Sequence, residues 1–138
     1  MIELFERKRF IPIIFTILIG IEIFVFSSIP GSPLAGGPSV VGIPELYHFI
    51  IFFLFNFFLF ISIKGKAKIN KKYLLIVLGL SMSYAILDEV HQFFVPSRFA
   101  DIGDIFTDFA GIFSSTILYL LVILKGRLSE GNHGVLAN

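Results

Sequence analysis

The sequence lacks cysteine and is poor in charge. None of its 138 residues is a cysteine, which excludes a disulfide framework, a thiolate nucleophile and a cysteine-ligated metal. Charged residues make up 15% of the chain, against roughly 25% in soluble domains. Intrinsic disorder is also excluded, because disordered chains are rich in charge and poor in apolar residues.

Apolar residues dominate the composition instead. They make up 56% of the chain and include 18 phenylalanines, whereas soluble domains contain roughly 45–50% apolar residues. The mean hydropathy is +0.90. A soluble domain of this size has too much surface for its volume to bury so many apolar side chains. The sequence therefore predicts an integral membrane protein, with the lipid bilayer as its surroundings.

Four apolar segments reach the length of about 20 residues that a helix needs to cross the hydrocarbon core. They cover about residues 10–29, 46–63, 73–95 and 105–124. Barrel strands would alternate apolar and polar residues, whereas these segments are apolar on all sides. We predict an all-α polytopic membrane protein, a four-transmembrane-helix bundle forming a single domain over residues 1–138. The first segment contains Glu22 and is longer than a signal-peptide core, so we interpret it as a span.

The basic residues predict the orientation of the bundle. All but one of the 11 lysines and arginines precede the first span, connect the second to the third, or follow the fourth. Four spans place these segments on one side, and cytoplasmic segments are enriched in lysine and arginine. We therefore expect a multi-pass protein of the plasma membrane with cytoplasmic N- and C-termini. Arg98 is the exception, at the outward-facing end.

Acidic residues gather at that outward-facing end, together with two histidines. The set comprises Glu22, Glu45, Asp88, Glu89, Asp101, Asp104, Asp108, His48 and His91. Several lie within the spans, where a charge costs about 2.5–3.5 kcal/mol on insertion scales. Such groups should face one another or a wet cavity. Intramembrane ionisable residues indicate a functional site by default.

Spacing brings some of these side chains onto common helix faces. Asp88, His91 and Gln92 stand at i, i+3 and i+4 and share one face, whereas Glu89 is rotated by about 100°. On the fourth span Asp104, Asp108, Gly111 and Ser115 also follow one face. Small residues permit close helix contact, and we expect it at two pairs, Gly79 with Ser83 and Gly111 with Ser115.

The residues from Tyr84 to Gly111 read YAILDEVHQFFVPSRFADIGDIFTDFAG. This string resembles the VanZ-like family of small membrane proteins in its Asp-Glu pair, Gln, apolar-Pro step, Arg, Asp and final Gly. Those positions are Asp88, Glu89, Gln92, Pro96, Arg98, Asp104 and Gly111. Ser27, Ser28, Pro30 and His48 also fit, whereas Pro44 and Glu45 stand where many members carry an Asp-Lys pair. The resemblance covers roughly residues 12–124 and implies a cell-envelope role linked to teicoplanin resistance.

The polar residues support a site that acts on or binds a lipid-linked envelope precursor or a glycan head group. If the site is catalytic, Asp88 or Glu89 is the base and His91 or His48 the proton shuttle. Arg98, Gln92, Asp104 and Asp108 would then bind the substrate, with Arg98 on an anionic group. Whether the protein is an enzyme stays open. Alternatively, the polar residues form a network that fixes helix packing, with Arg98 paired to Asp101 or Glu89.

Other functions are weighed against that interpretation. Buried carboxylates and histidines also suit a small proton-coupled transporter, and a non-catalytic membrane scaffold is a third possibility. A divalent metal such as zinc or manganese accepts ligands like those offered by His48, Asp88, His91, Asp104 and Asp108, although no H-E-x-x-H pair is present. No phosphate-binding glycine loop is present either, and we expect no nucleic-acid partner.

Overall fold

The computed structural model describes residues 8–30, 43–65, 70–98 and 101–135, with side chains described except at residue 43 and residues 124–135. Within these ranges it contains four α-helices and no strand. They are α1 (Phe10–Ser27), α2 (Ile43–Lys64), α3 (Lys71–Phe93) and α4 (Ile102–Val135). Each is long and apolar enough to cross a membrane. The predicted all-α fold with four spans is confirmed, and the chain is a multi-pass membrane protein.

Local sequence signals set the helix ends. Pro12 and Pro44 lie in the first turns of α1 and α2, where a missing N–H costs no hydrogen bond. Asn70 caps α3 by accepting a hydrogen bond from Tyr73 N at 3.1 Å. The helix α4 continues well past the end predicted near residue 124. The added segment contains glycines but no proline, and a glycine costs only about 1 kcal/mol in a helix.

Contacts between helix ends fix the topology. The start of α1 meets the end of α2, where Arg9 Nη2 donates to Ser62 O at 3.1 Å. The last residue of α1, Ser27, contacts Asp88 near the end of α3. His48 near the start of α2 contacts Asp108 near the start of α4. The four helices therefore run up, down, up and down, and α2 makes its most extensive contact with α4.

Two apolar clusters fill the bundle, and the outer faces are apolar as well. The first cluster is built around Ile23, Phe52 and Ile112, and the second around Phe60 and Tyr119. Many large apolar side chains remain exposed, with Leu75 at 69% and Phe106 at 70%. A soluble monomer rarely exposes so much apolar surface. These faces are suited to contact lipid.

A fully buried amide joins three helices in the middle of the bundle. Asn56 Nδ2 lies 3.1 Å from Ile112 O, 3.3 Å from Ser115 Oγ and 3.0 Å from Thr116 Oγ1. Ser81 Oγ donates to Asn56 Oδ1 at 2.9 Å. We call Asn56, Ser81, Ser115 and Thr116 the central polar layer. It links α2 to α3 and α4 through uncharged hydrogen bonds.

Only one of the two predicted small-residue contacts is present in the described chain. A Cβ on Gly111 would collide with the Phe49 carbonyl and would come within 3.1 Å of Phe53 N. Glycine thus lets the backbones of α2 and α4 approach closely. By contrast, a Cβ on Gly79 would meet nothing within 4 Å, so the expected contact at Gly79 and Ser83 is wrong. Those residues lie on an exposed face of α3.

Candidate functional site

A second polar layer lies at one end of the bundle, where α1 and α3 end and α2 and α4 begin. We call His48, Asp88, Glu89, Gln92, Asp104 and Asp108 the terminal polar layer. All of these residues except Asp104 are buried, and Asp104 is half-buried. The alternating helix directions bring together residues that are far apart in sequence. The predicted clustering of six of the eight candidate site residues is therefore present.

Asp88 is held by hydrogen bonds from two helices. Ser27 Oγ on α1 donates to Asp88 Oδ1 at 2.5 Å. Gln92 Nε2, one turn further along α3, donates to Asp88 Oδ2 at 3.0 Å. Hydrogen bonds to an ionised carboxylate are stronger than neutral ones. The Asp88 carboxylate is thus fixed in position while keeping acceptor capacity on both oxygens.

Glu89 connects the same helix to the start of α4. Its Oε2 accepts a hydrogen bond from Asp101 N at 2.9 Å, and its Oε1 lies 3.4 Å from Gln92 Nε2. Glu89 is only 2% exposed. The expected rotation of Glu89 away from Asp88 toward another helix is seen here, since its strongest contact is with the segment that begins α4.

His48 lies between the carboxylates of α4. Its Nδ1 is 2.9 Å from Asp108 Oδ1, and its Nε2 is 3.8 Å from Asp104 Oδ2. The first distance is a hydrogen bond, whereas the second is too long for one. The Asp108 contact fixes the orientation of the imidazole ring. Its Nε2 then faces the acidic side chains without a hydrogen bond to any described residue.

Two buried oxygen atoms at this end lack hydrogen-bond partners among the described residues. They are Asp108 Oδ2 and Tyr47 Oη. Asp108 is fully buried, at 0% exposure. An unpartnered buried polar atom costs about 1–3 kcal/mol, and more when it is charged. Such atoms are rare in folded proteins and call for an explanation.

Arg98 lies in a tight turn after α3. Arg98 N donates to Val95 O at 3.1 Å, and Ser97 between them has φ of 59°. Proline at the second position and a positive φ at the third suit a type II turn. The side chain reaches α1, where Nε donates to Ile29 O at 3.1 Å and Nη2 to Phe26 O at 3.0 Å. Arg98 therefore caps the end of α1 and forms no ion pair with Asp101 or Glu89, the alternative considered from the sequence.

His91 lies outside the terminal polar layer. Its Nε2 is 3.0 Å from Ser28 Oγ, and its ring lies against Phe24 with centroids 4.8 Å apart. His91 lines a smaller cavity with Phe24, Tyr84, Leu87 and Asp88. Among the described residues its hydrogen-bond contact is with Ser28 and not with a carboxylate of the terminal polar layer. Of the two predicted proton shuttles, only His48 is hydrogen-bonded to one of those carboxylates.

A cavity of about 380 Å³ opens beside the terminal polar layer, between α1, α2 and α3. Its polar walls are Ser27, His48, Asp88, Gln92 and Arg98. Its apolar walls are Ile23, Phe26, Pro44, Tyr47, Ile51 and Phe52. Ligand sites of this kind are mostly apolar with a few convergent polar groups, and their volumes run from about 300 to 1,000 Å³. The cavity has the size and character of a binding site.

Sequence reasoning missed two contributors to this site. Ser27 bonds Asp88, and Tyr47 lines the cavity with an unpartnered hydroxyl. The resemblance had named Ser27 as a matching position without a role, and the structure places it after Ile19 and Ile23 on the buried face of α1. Glu22, one of the acids expected to face one another or a wet cavity, is exposed and makes no hydrogen bond to a described residue.

Comparison with known proteins identifies the family. A family model described as VanZ/LLP1 matches residues 6–124. The chain belongs to this family. No curated protein and no solved structure matches it. The resemblance drawn from the string between Tyr84 and Gly111 is confirmed.

The VanZ/LLP1 match spans all four membrane-crossing segments and every residue of the terminal polar layer. The motif residues that carried the resemblance fall into three structural groups. Asp88, Glu89, Gln92 and Asp104 belong to the terminal polar layer. Pro96 and Arg98 form the turn that caps α1, and Gly111 is the close contact with α2. The motif therefore describes one end of the bundle rather than a scattered set of positions.

Proposed function

We propose that this VanZ/LLP1 protein binds the head group of a lipid-linked envelope precursor at the outward-facing end of the bundle. The observation that carries the proposal is the cavity, whose apolar walls adjoin a charged and hydrogen-bonding one. A purely apolar lipid would leave the polar wall without hydrogen-bond partners. A water-soluble ligand would leave the apolar wall without apolar contacts. An amphiphile contacts both walls.

The two walls suit the two parts of such a ligand. Phe26, Ile51 and Phe52 would contact the first part of the lipid chain. Asp88 and Gln92 offer acceptors and donors that suit sugar hydroxyl groups. Arg98 uses only part of its five N–H groups on α1, and a guanidinium suits a phosphate. The ligand class is therefore a phosphate-linked glycan on a lipid.

The proposed role is binding rather than catalysis. Hydrogen bonds from Ser27, Gln92 and Asp101 hold the Asp88 and Glu89 carboxylates in fixed positions. Fixed groups lower the cost of ordering on binding. A catalytic role would use Asp88 or Glu89 as the base, with His48 as the adjacent proton carrier. A general base must reach the proton it removes directly or through one water.

The orientation and the resistance role belong to the same proposal. Basic residues concentrate at the opposite end of the bundle, which supports a cytoplasmic position for that end and for both termini in a plasma membrane. The terminal polar layer then faces the side where envelope precursors are displayed. Family membership supports a link to teicoplanin resistance through the handling of such a precursor.

The binding test uses purified protein in nanodiscs and a polyprenyl phosphate that carries a sugar. The same lipid as a free alcohol and the soluble sugar phosphate serve as competitors. Asp88→Asn should weaken binding at least tenfold, because hydrogen bonds to charged groups contribute about 1.5–3 kcal/mol. Asp101→Asn is the matched control, because the Asp101 side chain is exposed and the substitution keeps both the backbone N–H that bonds Glu89 and a side-chain oxygen for Gly103 N. Equal binding by both variants would contradict the proposal that the head group binds in this cavity.

The cellular test asks whether the same layer protects against teicoplanin. A sensitive bacterial host expresses the wild type, Asp88→Asn or Asp101→Asn at matched membrane levels. Protection by the wild type and the control, but not by Asp88→Asn, supports the resistance role. Because the chain has no cysteine, Ser97→Cys and Ala67→Cys also report orientation. Only Ser97→Cys should react with an impermeant thiol reagent added outside the cell.

A further inference from the structure

We propose that the terminal polar layer binds one divalent transition-metal ion, of the Mn²⁺ or Zn²⁺ type, through His48, Asp88 and Glu89. One side-chain ligand atom from each of these residues lies within 4.8 Å of the other two. Ligands on opposite sides of one ion stand about 4–4.6 Å apart when the bonds are 2.0–2.3 Å. Small side-chain rotations therefore bring all three to one ion. This inference does not depend on the proposed lipid ligand.

His48 is arranged as a metal-binding histidine. Ligating histidines commonly use one ring nitrogen for the metal and donate the other N–H to a carboxylate. Here Nδ1 is 2.9 Å from Asp108 Oδ1, which leaves Nε2 as the ligand atom. His48 is 7% exposed, and its Nε2 makes no hydrogen bond to a described residue. Asp108 thus acts as a positioning residue for the imidazole.

Asp104 is a neighbour of the His48 imidazole but not a member of the group of three. Its Oδ2 lies 3.8 Å from His48 Nε2, too far for a hydrogen bond. Two ligands of one ion stand about 3–4.5 Å apart for bonds of 2.0–2.2 Å. The separation suits a pair of ligands, but Asp104 lies outside the group of three ligand atoms, so it would reach the ion only after a side-chain rotation. Asp104 is half-buried, so the ion would be reached from the outer end of the bundle.

The charge balance of the layer also points to a cation. Asp88, Glu89, Asp104 and Asp108 place four carboxyl groups at one end of a membrane bundle. In the ranges that the structure describes, no lysine or arginine forms an ion pair with any of them. Buried charges are normally paired or bound to metal. The unpartnered Asp108 Oδ2, on a fully buried side chain, is independent evidence of a missing counter-charge.

The ligand atoms select the type of ion. Imidazole nitrogen suits zinc and similar metals, and carboxylate oxygen suits manganese. Mg²⁺ prefers oxygen ligands and keeps several waters, which a layer containing a buried imidazole does not favour. Sulfur ligands are absent, because the sequence contains no cysteine. Zn²⁺ and Mn²⁺ are therefore the ions to test, with Mg²⁺ as the comparison.

The experiment measures metal bound to the full chain purified in detergent, with no lipid ligand added. After equilibrium dialysis against MnCl₂ or ZnSO₄, the wild type should hold about one ion per chain and melt at a higher temperature. His48→Gln and Glu89→Gln, which each remove a proposed ligand, should lower the affinity at least tenfold. His91→Gln and Asp101→Asn, the matched controls, should bind as the wild type does. Absence of binding by the wild type, or equal binding by His48→Gln and His91→Gln, overturns the proposal.

A second measurement covers the case in which His48→Gln does not fold. Pulsed electron paramagnetic resonance on Mn²⁺ bound to the wild type and to His91→Gln should show coupling to an imidazole nitrogen in both. Loss of the coupling in His91→Gln, or its absence from both, overturns the proposal. The outcome is separate from that of the lipid test. Metal binding without lipid binding supports this inference and contradicts the proposed function. Lipid binding without metal binding supports the proposed function and contradicts this inference.

Discussion

The bundle contains two buried polar layers that differ in charge and in how completely they are satisfied. In the central polar layer every polar atom of Asn56 has a partner, and no member is ionisable. In the terminal polar layer His48 Nε2 and Asp108 Oδ2 have no hydrogen-bond partner among the described residues. A fully satisfied network serves packing, whereas unsatisfied charged groups in a dry site are costly unless a ligand completes them. This difference supports the proposed ligand site in the terminal polar layer.

The two layers are also insulated from each other. Phe52 on α2, Ala85 on α3 and Ile112 on α4 lie between them along the helices, and each is 0% exposed. A proton relay through the membrane requires a chain of polar groups, which these residues interrupt. The arrangement favours a site confined to one end of the bundle over the proton-coupled transporter.

The substitution with the largest expected effect is one at Gly111, which should disrupt the central and the terminal polar layers together. Gly111→Val would place side-chain atoms against the backbone of Phe49, between Asp108 and Ser115 on α4. Ordinary overpacking costs about 1–3 kcal/mol, and a backbone carbonyl yields less than a side chain does. We expect at least the upper end of that range, with loss of the monodisperse protein in detergent. Thermal unfolding and gel filtration measure it.

Gly79→Val is the matched control for that substitution. Gly79 also lies in the middle of a membrane-crossing helix, yet an added Cβ meets nothing within 4 Å. Its melting temperature should stay close to that of the wild type. Equal destabilisation by the two variants would show that the close contact of α2 and α4 does not set the spacing of the layers.

The second prediction breaks only the central polar layer. Asn56→Ala removes four hydrogen bonds to α3 and α4, and such bonds average about 0.6 kcal/mol in membrane proteins. We expect a loss of about 2 kcal/mol in the free energy of unfolding, with metal and lipid binding by the folded protein unchanged. The control is Ser83→Ala on the exposed face of α3, which should change stability by less than about 0.5 kcal/mol. A binding defect in Asn56→Ala would show that the central polar layer also contributes to ligand binding.

The sequence predicted the elements of this comparison more reliably than their contacts. Hydropathy and charge are local properties, so the four spans and the polar end of the bundle were accessible. The rotation of each helix depends on its neighbours. Because α1 is apolar on all sides, nothing in its average pattern indicated that Ser27 faces Asp88. For Arg98 the sequence left anion binding and pairing with an acid as alternatives, and its contact with α1 depends on the turn at Ser97, whose φ is positive.

His91 shows why a shared helix face was too coarse a criterion. At 100° per residue, Gln92 lies about 40° from Asp88 and Glu89 about 100° in the same direction. His91 lies about 60° to the other side, which turns it toward Ser28 on α1. The terminal polar layer therefore continues through Gln92 and Glu89. Helix spacing placed His91 near the site, and only the packing of α1 against α3 excluded it.

The third prediction separates stability from function in the terminal polar layer. Asp108→Asn removes a buried carboxylate that has an unpartnered oxygen, so the free energy of unfolding should stay the same or rise. The substitution also removes the charge that orients His48. Changes to such supporting residues lower metal affinity by about 10–100-fold. Thermal unfolding and Mn²⁺ titration on the same sample measure both quantities, with Asp101→Asn as the control.

The opposite pattern would make the two layers alike. If Asp108→Asn destabilises the protein as much as Asn56→Ala does, and leaves Mn²⁺ affinity unchanged, the terminal polar layer serves helix packing. The non-catalytic scaffold would then be the better interpretation of the protein. The comparison between layers is sharpest in this pair of variants, because each changes one buried polar side chain.

The smallest expected effect distinguishes two adjacent serines at the end of α1. Ser27 Oγ bonds the Asp88 carboxylate at 2.5 Å, whereas Ser28 Oγ bonds Phe24 O at 2.6 Å and His91 at 3.0 Å. Ser27→Ala should cost about 1 kcal/mol of stability and weaken lipid and metal binding several-fold, since Asp88 loses one of the donors that fix it. Ser28→Ala should leave both affinities unchanged, because Phe24 and His91 lie outside the terminal polar layer. Equal loss of affinity in the two variants would show that the site includes Ser28 and its partner His91.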